Sequence, residues 1–329
     1  MSHHINRRGF FQSLKLGAAG TASVVVSPSS EPAQAAADDL LPFETSRSIR
    51  RDKSPVTPER VLLWENTRKE IREWLTSGKL KAAILPTGSI EQHNEHMAMV
   101  ADVANSTLIS QRAALELYPA VVVAPPSPCG YAPYHMARKG TITLRRETFQ
   151  AYVYDVMESL KAHGIRTILV LNGHGGNHQP LQEVLPRFRK ELGINIEATS
   201  YWIGTPPSYT KTIMKSKQPT SHAGEFETSI YMAAYPDRLR PFSMGDYDDA
   251  HLNYEDNFAP DVLPFLRRDG RTFKQGKIDC RDENIRDRRR QAEALLATSE
   301  TGEAILSKAT SYVVELVQRM IAATEAGNR

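Results

Sequence analysis

The chain predicts an α/β layer structure around a mainly parallel sheet, on three observations. Short apolar runs alternate with stretches of helical periodicity between Leu80 and Trp202. Two of those runs, AAILPT and TILVLN, are continuously apolar rather than alternating, the pattern of strands covered on both faces. Both lead into clusters of histidine and carboxylate, GSIEQH and GHGGNH, and the carboxyl ends of parallel strands are where such sheets bind ligands.

The elements follow in order. A helix is expected from Thr57-Pro58, a capping residue before a proline suited to the first helical position, with Leu62, Leu63, Ile71, Trp74 and Leu75 as its stripe. LKAAILPTGS reads as a buried strand ended by Pro86 and Gly88. DVANSTLISQRAALELY is a helix, AVVVAPP a strand, and GTITL, after a loop rich in Pro, Gly and Tyr, a further strand. ETFQAYVYDVMESLKAHG is helical and IRTILVLNG is the clearest strand. A helix from about Gln179 to Leu192 leads to the strand INIEATSYW, and FETSIYMAAY is again helical. A final helix carries Ile305, Tyr312, Val313, Leu316, Val317, Met320 and Ile321 at three- and four-residue spacing. The polar stretch 241–290 reads as an excursion from a single domain spanning 56–329. Its RDENIRDRRR run mixes acids with bases and suits a solvated helix face.

The N-terminus is built differently. Arg7 and Arg8 precede Phe10, Phe11 and a weakly apolar stretch to Val26, and Ala33-Gln34-Ala35 offers a small-residue cleavage site. This pattern resembles a twin-arginine export signal over 1–35, followed by a polar linker over 36–55, and implies a periplasmic or otherwise exported protein. The apolar stretch is too short to span a membrane. The chain has 41 basic and 38 acidic residues, and 38 and 37 remain once Arg7, Arg8, Lys15 and Glu31 leave with the signal. So balanced a charge gives no footprint for nucleic acid or a membrane surface. Cys129 and Cys280 lack the close pairing of a zinc motif and read as ordinary buried residues.

Three clusters carry the chemistry. Glu91 and His93, two apart at a strand end, point to one side, and Asp102 stands near the next helix start. His174 lies in a turn whose glycines at 173, 175 and 176 permit close approach. SHAGEFETS supplies His222, Glu225 and Glu227. Two imidazoles and three carboxylates suit a pair of divalent ions of the Zn, Mn or Mg type sharing a bridging carboxylate and hydroxide. Taken singly, Asp102 could be a helix cap, GHGGN a phosphate-cradling turn or a plain strand–helix corner, and Glu95 and His96 site-lining or solvent-facing residues.

LPTGSIEQHNEHMAMVAD, LNGHGGN and HAGEFETS, in that order, strongly resemble the creatininase (creatinine amidohydrolase) family between about Ala82 and Ala234. The resemblance implies a three-layer α/β/α fold, two divalent ions per subunit (zinc and/or manganese), a hexameric homo-oligomer, and hydrolysis of small cyclic or N-acyl amides. By the same resemblance Glu91 and His93 bind different metals, Asp102 bridges them, His174 joins the Glu91 metal, and His222 donates a proton to the leaving nitrogen. Three positions depart from creatininases proper. Gly176 stands where they have a ligand glutamate, a part Glu225 would take here; Gly175 replaces a substrate-side tyrosine; and the Gly-x-Ser-x-x-His loop reads Gly130-Tyr131-Ala132-Pro133-Tyr134-His135. Asn94 also replaces a usual glycine. Tyr131, Tyr134, His135 and Trp202 are candidates for the pocket wall, with core packing the alternative for the aromatics. The same ion pair could instead serve an isomerase or lyase on a sugar-like substrate, or a lactonase.

Overall fold

Four parallel strands form the sheet, in the order β2-β1-β3-β4. They are β1 (Ala82–Thr87), β2 (Val121–Val123), β3 (Thr167–Asn172) and β4 (Asn195–Ser200). The structure is a computed structural model that describes residues 58–135, 140–216, 222–243 and 288–327. The export signal, the linker, Cys280 and most of the 241–290 excursion therefore lie outside the described residues.

Every residue of β1 and β3 is buried, as their unbroken apolar runs require, and each strand sends alternate side chains to opposite faces. Ala82, Ile84, Leu169 and Leu171 pack on one side with α2 (Ala101–Glu116), α6 (Glu225–Ala234) and α8 (Ser299–Gly327), through Ile109, Ile230, Val313 and Val317. Ala83, Leu85, Ile168 and Val170 face the other layer, where α3 (Arg146–Ala162) and α4 (His178–Leu192) contribute Phe149, Met157, Leu181 and Phe188. This is the three-layer α/β/α arrangement with the sheet in the middle. The core divides across the sheet, and the end where β1 and β3 stop is left for chemistry.

Pro86 does not end β1, contrary to the sequence expectation. Ala82 donates its N–H to Ala120 on the β2 side, and alternate residues share a side. The donor that Pro86 lacks thus falls on that side, where pairing with β2 stops at Ile84–Val123. The first helix also starts later than Pro58. Two 3-10 turns, Pro58–Val61 and Leu63–Glu65, come first; α1 (Arg68–Thr76) begins after Thr67, whose hydroxyl and Glu70 form a reciprocal capping box. GTITL joins no sheet strand. Its residues make isolated bridges, Ile142 to Ile90 and Thr143 to Gly130, bracing two loops beside the site.

The chain between β4 and α6 carries the short helix α5 (Pro207–Ile213), and a helix over 288–294 (α7) precedes α8. Arg288 and Arg289 are exposed on α7, as a solvated face requires. Cys129 is half-buried rather than buried, with a free thiol. None of the described helices is long and apolar enough to cross a membrane.

Candidate metal centre

The exits of β1 and β3 meet the heads of α2 and α6 at one edge of the sheet. Gly173 makes the meeting possible: a Cβ there would collide with the carbonyl oxygen of Asp102, so α2 reaches the strand ends only over a glycine. Asp102 is the second residue of α2, whose cap position is Val100 with no side-chain bond, so Asp102 does not serve as the helix cap. Its carboxylate turns to the site instead.

Glu91, His93, Asp102 and His174 come together, all nearly inaccessible to solvent. The two oxygens of Asp102 go to different partners. Asp102 Oδ2 and Glu91 Oε2 lie 3.2 and 3.0 Å from His174 Nδ1. Asp102 Oδ1 lies 3.1 Å from His93 Nε2, which is also 3.5 Å from Glu227 Oε2. Glu91 Oε2 and Asp102 Oδ2 are buried and carry no hydrogen bond despite those short distances. Atoms this close without hydrogen-bond angles converge on a shared point, as ligands around a cation do.

The backbone sets the histidines for that task. His93 Nδ1 lies 3.1 Å from the Glu91 carbonyl oxygen, and His174 Nε2 lies 3.1 Å from that of Tyr131. A carbonyl oxygen only accepts, so these outer nitrogens carry protons, and the inner nitrogens, turned to the carboxylates, are the ones that would bind a cation in place of a proton. Asn172 holds the His174 backbone, accepting from its N–H at 3.1 Å and donating to its carbonyl at 2.6 Å. Nitrogen and oxygen donors of this kind, with no sulfur among them, suit zinc or manganese.

The electrostatics follow from this crowding. Burial opposes charge on His93, but Asp102, Glu227 and Glu91 outweigh it and raise its pKa to about 10. His174 is likewise raised well above its ordinary value against burial, chiefly by Glu91. Asp102 is held down at about 2, against burial, by His93 and His174. Glu227 is pushed up to about 7 by burial together with Asp102 and Glu91, with His93 pulling the other way. In the protein alone, the crowding thus keeps protons on His93, His174 and, below about pH 7, Glu227, while Asp102 stays ionised.

Glu225 is the correction. Its carboxylate accepts the backbone N–H groups of Lys215, at 2.8 Å, and Ser216, at 2.5 Å, and takes no part in the cluster. Glu227 stands there instead, its Oε2 steadied at 2.7 Å by the N–H of Ala223. Residues two apart on a helix point about 200° apart, so only one of the two can face the site. Tyr131 is a second correction. It is buried under Arg146, 5.3 Å from its ring centroid, and contributes its carbonyl rather than its ring. Tyr134, His135 and Trp202 do line a cavity of ≈ 310 Å³ over the cluster, joined by Tyr201 and Phe226. His222 lies at its edge, Nδ1 3.4 Å from Glu91 Oε1. His96 is buried away from the cavity, Nε2 at 2.8 Å from the Thr228 hydroxyl.

Groups of potential ligand atoms lying within 4.8 Å of one another are Glu91–His93–Asp102, His93–His222–Glu227 and Glu91–His135–His222. A family model described as Creatininase: Creatinine amidohydrolase matches residues 64–317. Creatinine amidohydrolase of Pseudomonas putida is 28% identical over 221 residues, covering 61% of this chain and 82% of that protein. The 3-dehydro-scyllo-inosose hydrolase of Thermotoga maritima is 30% identical over 185 residues, covering 55% and 58%. Among solved structures, a mutant creatininase of the Zn–Zn type matches with TM-score 0.58 at 25% identity, covering 79% of this chain and 97% of its own. A manganese form of creatininase matches with TM-score 0.58 at 25% identity, covering 79% and 98%. With the sheet, the buried cluster and a family model spanning most of its length in agreement, this chain belongs to the creatininase family of metal-dependent hydrolases.

Proposed function

We propose that the chain is a dinuclear amidohydrolase that cleaves a C–N bond of a small cyclic or N-acyl amide. The observation that carries this reading is the division of Asp102, one oxygen to the His174 group and the other to the His93 group. Glu91, Asp102 and His174 would hold one divalent ion, and His93, Asp102 and Glu227 the other, as zinc or manganese. Such a pair, when bound, supplies carbonyl polarisation and a water acidified toward neutrality.

The remaining chemistry belongs to His222. Its Nε2 lies 2.6 Å from the Gln92 carbonyl oxygen and must donate to it, which leaves Nδ1 as a lone pair facing the cavity. Burial, with His93 and His135 adding to it, keeps the imidazole well below its ordinary pKa and neutral. His222 Nδ1 therefore takes a proton from the attacking water as the new C–O bond forms. It returns that proton to the nitrogen as the C–N bond breaks. It donates only after it has accepted.

A second reading has its own support: 30% identity over 185 residues with a 3-dehydro-scyllo-inosose hydrolase favours a sugar-like substrate. Zinc- or manganese-reconstituted protein assayed on creatinine, formamides, N-acyl amines, lactones and cyclic polyol ketones separates the two. Release of an amine supports the amide reading, and turnover of polyol ketones alone overturns it. On an amide that turns over, His222→Ala lowers kcat about 10²–10⁴-fold while metal content stays at two.

A further inference from the structure

The two ligand sets proposed above leave His135 over beside His222, although both also stand in a group of potential ligand atoms with Glu91. His135 and His222 stack with ring centroids 4.6 Å apart and planes tilted by 26°. Both face one oxygen: His135 Nε2 is 3.5 Å and His222 Nδ1 3.4 Å from Glu91 Oε1. What each ring presents to that oxygen depends on what its other nitrogen meets.

The Gln92 side chain lies between them and decides this. Asn94, with φ of 52°, turns its N–H back onto Gln92 Oε1 at 2.9 Å, which settles which end of the amide is oxygen. The amide nitrogen is then on the imidazole side, 3.5 Å from His135 Nδ1 and 3.0 Å from His222 Nε2. His222 Nε2 is not free to accept, because its own proton lies on the Gln92 carbonyl at 2.6 Å, an oxygen with no proton to give. The acceptor left for the amide is His135 Nδ1. A neutral His135 then carries its proton on Nε2, the nitrogen turned to Glu91 and the cavity.

We propose that Gln92 sets the pair to turn opposite nitrogens to Glu91, His222 presenting a lone pair and His135 an N–H, and that His135 is a catalytic hydrogen-bond donor to the substrate carbonyl oxygen. Only the last clause rests on the hydrolase reading above; the protonation pattern is a property of the protein alone. A preset neutral donor aimed where negative charge develops needs no reorganisation during the reaction.

The test is ¹⁵N NMR of histidine-labelled, zinc-loaded full chain, with His135→Gln and His222→Gln assigning the signals. The expected result is a protonated Nε2 and bare Nδ1 on both rings, which aim opposite nitrogens at Glu91. Gln92→Leu should free the His135 proton to redistribute, leave His222 unchanged, and keep two zinc ions. A proton on His135 Nδ1 in the unsubstituted protein overturns the proposal. So does loss of zinc from the His135→Gln protein, which would make that ring a ligand. With whichever amide of the panel turns over as probe, His135→Phe lowers kcat about 10²–10³-fold at unchanged zinc content, and an unchanged kcat overturns the donor role. A panel with no amide turnover sinks the hydrolase reading and leaves the NMR result to decide the protonation pattern.

Discussion

Glu225 and Glu227 sit in the same helical turn, and their separation into a backbone clamp and a site carboxylate is where residue identity alone is least informative. Exchanging each for glutamine separates them. Glu227→Gln should leave one tightly held ion of two by elemental analysis. Glu225→Gln should keep both, and lose about 1–3 kcal/mol in denaturant unfolding, because it weakens charge-assisted bonds to two backbone N–H groups. The opposite pattern would return Glu225 to the ligand set. The cluster also fixes a pH dependence in the metal-free protein. Glu227 and His93 have folded pKa values raised to about 7 and about 10, so each stabilises the fold at low pH. The Glu227 contribution is complete below its ordinary value of 4.5 and is lost as pH rises through 7; that of His93 is complete below 6.5 and lost through 10. His96, His135 and His222, whose pKa values are lowered in the fold, oppose this trend below their ordinary value of 6.5, so the fall is read above it: metal-free protein should unfold at progressively lower denaturant from pH 7 to pH 9. The zinc-loaded protein should show a flatter profile, since the ions take the place of those protons, and zinc affinity should rise with pH over the same interval. A metal-free midpoint that climbs between pH 7 and pH 9 would contradict the assignment.

At the level of elements, β1 and β3 were legible because both are buried on two faces and read as unbroken apolar runs with clusters at their ends. GTITL was not: strand-like residues serve isolated bridges there, and nothing local says that no neighbour extends them. The phase of α6 was hidden for a related reason. Which of Glu225 and Glu227 faces inward depends on how the helix seats on the sheet, a tertiary fact. Asn172 and Gln92 were missed because amides that orient histidines leave no spacing signature. The turn after β3 also explains a departure from creatininases proper. A Cβ at Gly176 would collide with the Tyr134 hydroxyl, His174 Nε2 and the Tyr131 carbonyl, so no ligand glutamate fits, and the second carboxylate comes from α6. Gly176→Ala should accordingly displace His174 and weaken one zinc site about 10–100-fold in chelator competition, with the other site retained. Unchanged affinity would mean that the Tyr131 carbonyl does not set the His174 ring.

For the whole molecule, the three-layer arrangement concentrates hydrophobic burial on both faces of the sheet and spares one edge for charged groups. That is where the chain holds two buried carboxylates, Glu91 and Asp102, together with the half-buried Glu227. Export remains a proposal carried by the N-terminal sequence, as hexameric assembly is by the family resemblance. Replacing Arg7 and Arg8 with lysine should retain the protein in the cytoplasm in a fractionation assay, and unchanged export would remove the twin-arginine reading. Everything proposed for catalysis depends on Asp102 serving two ions at once. The most direct measurement is anomalous diffraction from crystals of the manganese-loaded protein. Two peaks about 3.5–4 Å apart should flank the Asp102 carboxylate, one beside Glu91 and His174 and the other beside His93 and Glu227. A lone peak, or an ion held by Glu225, would contradict that arrangement.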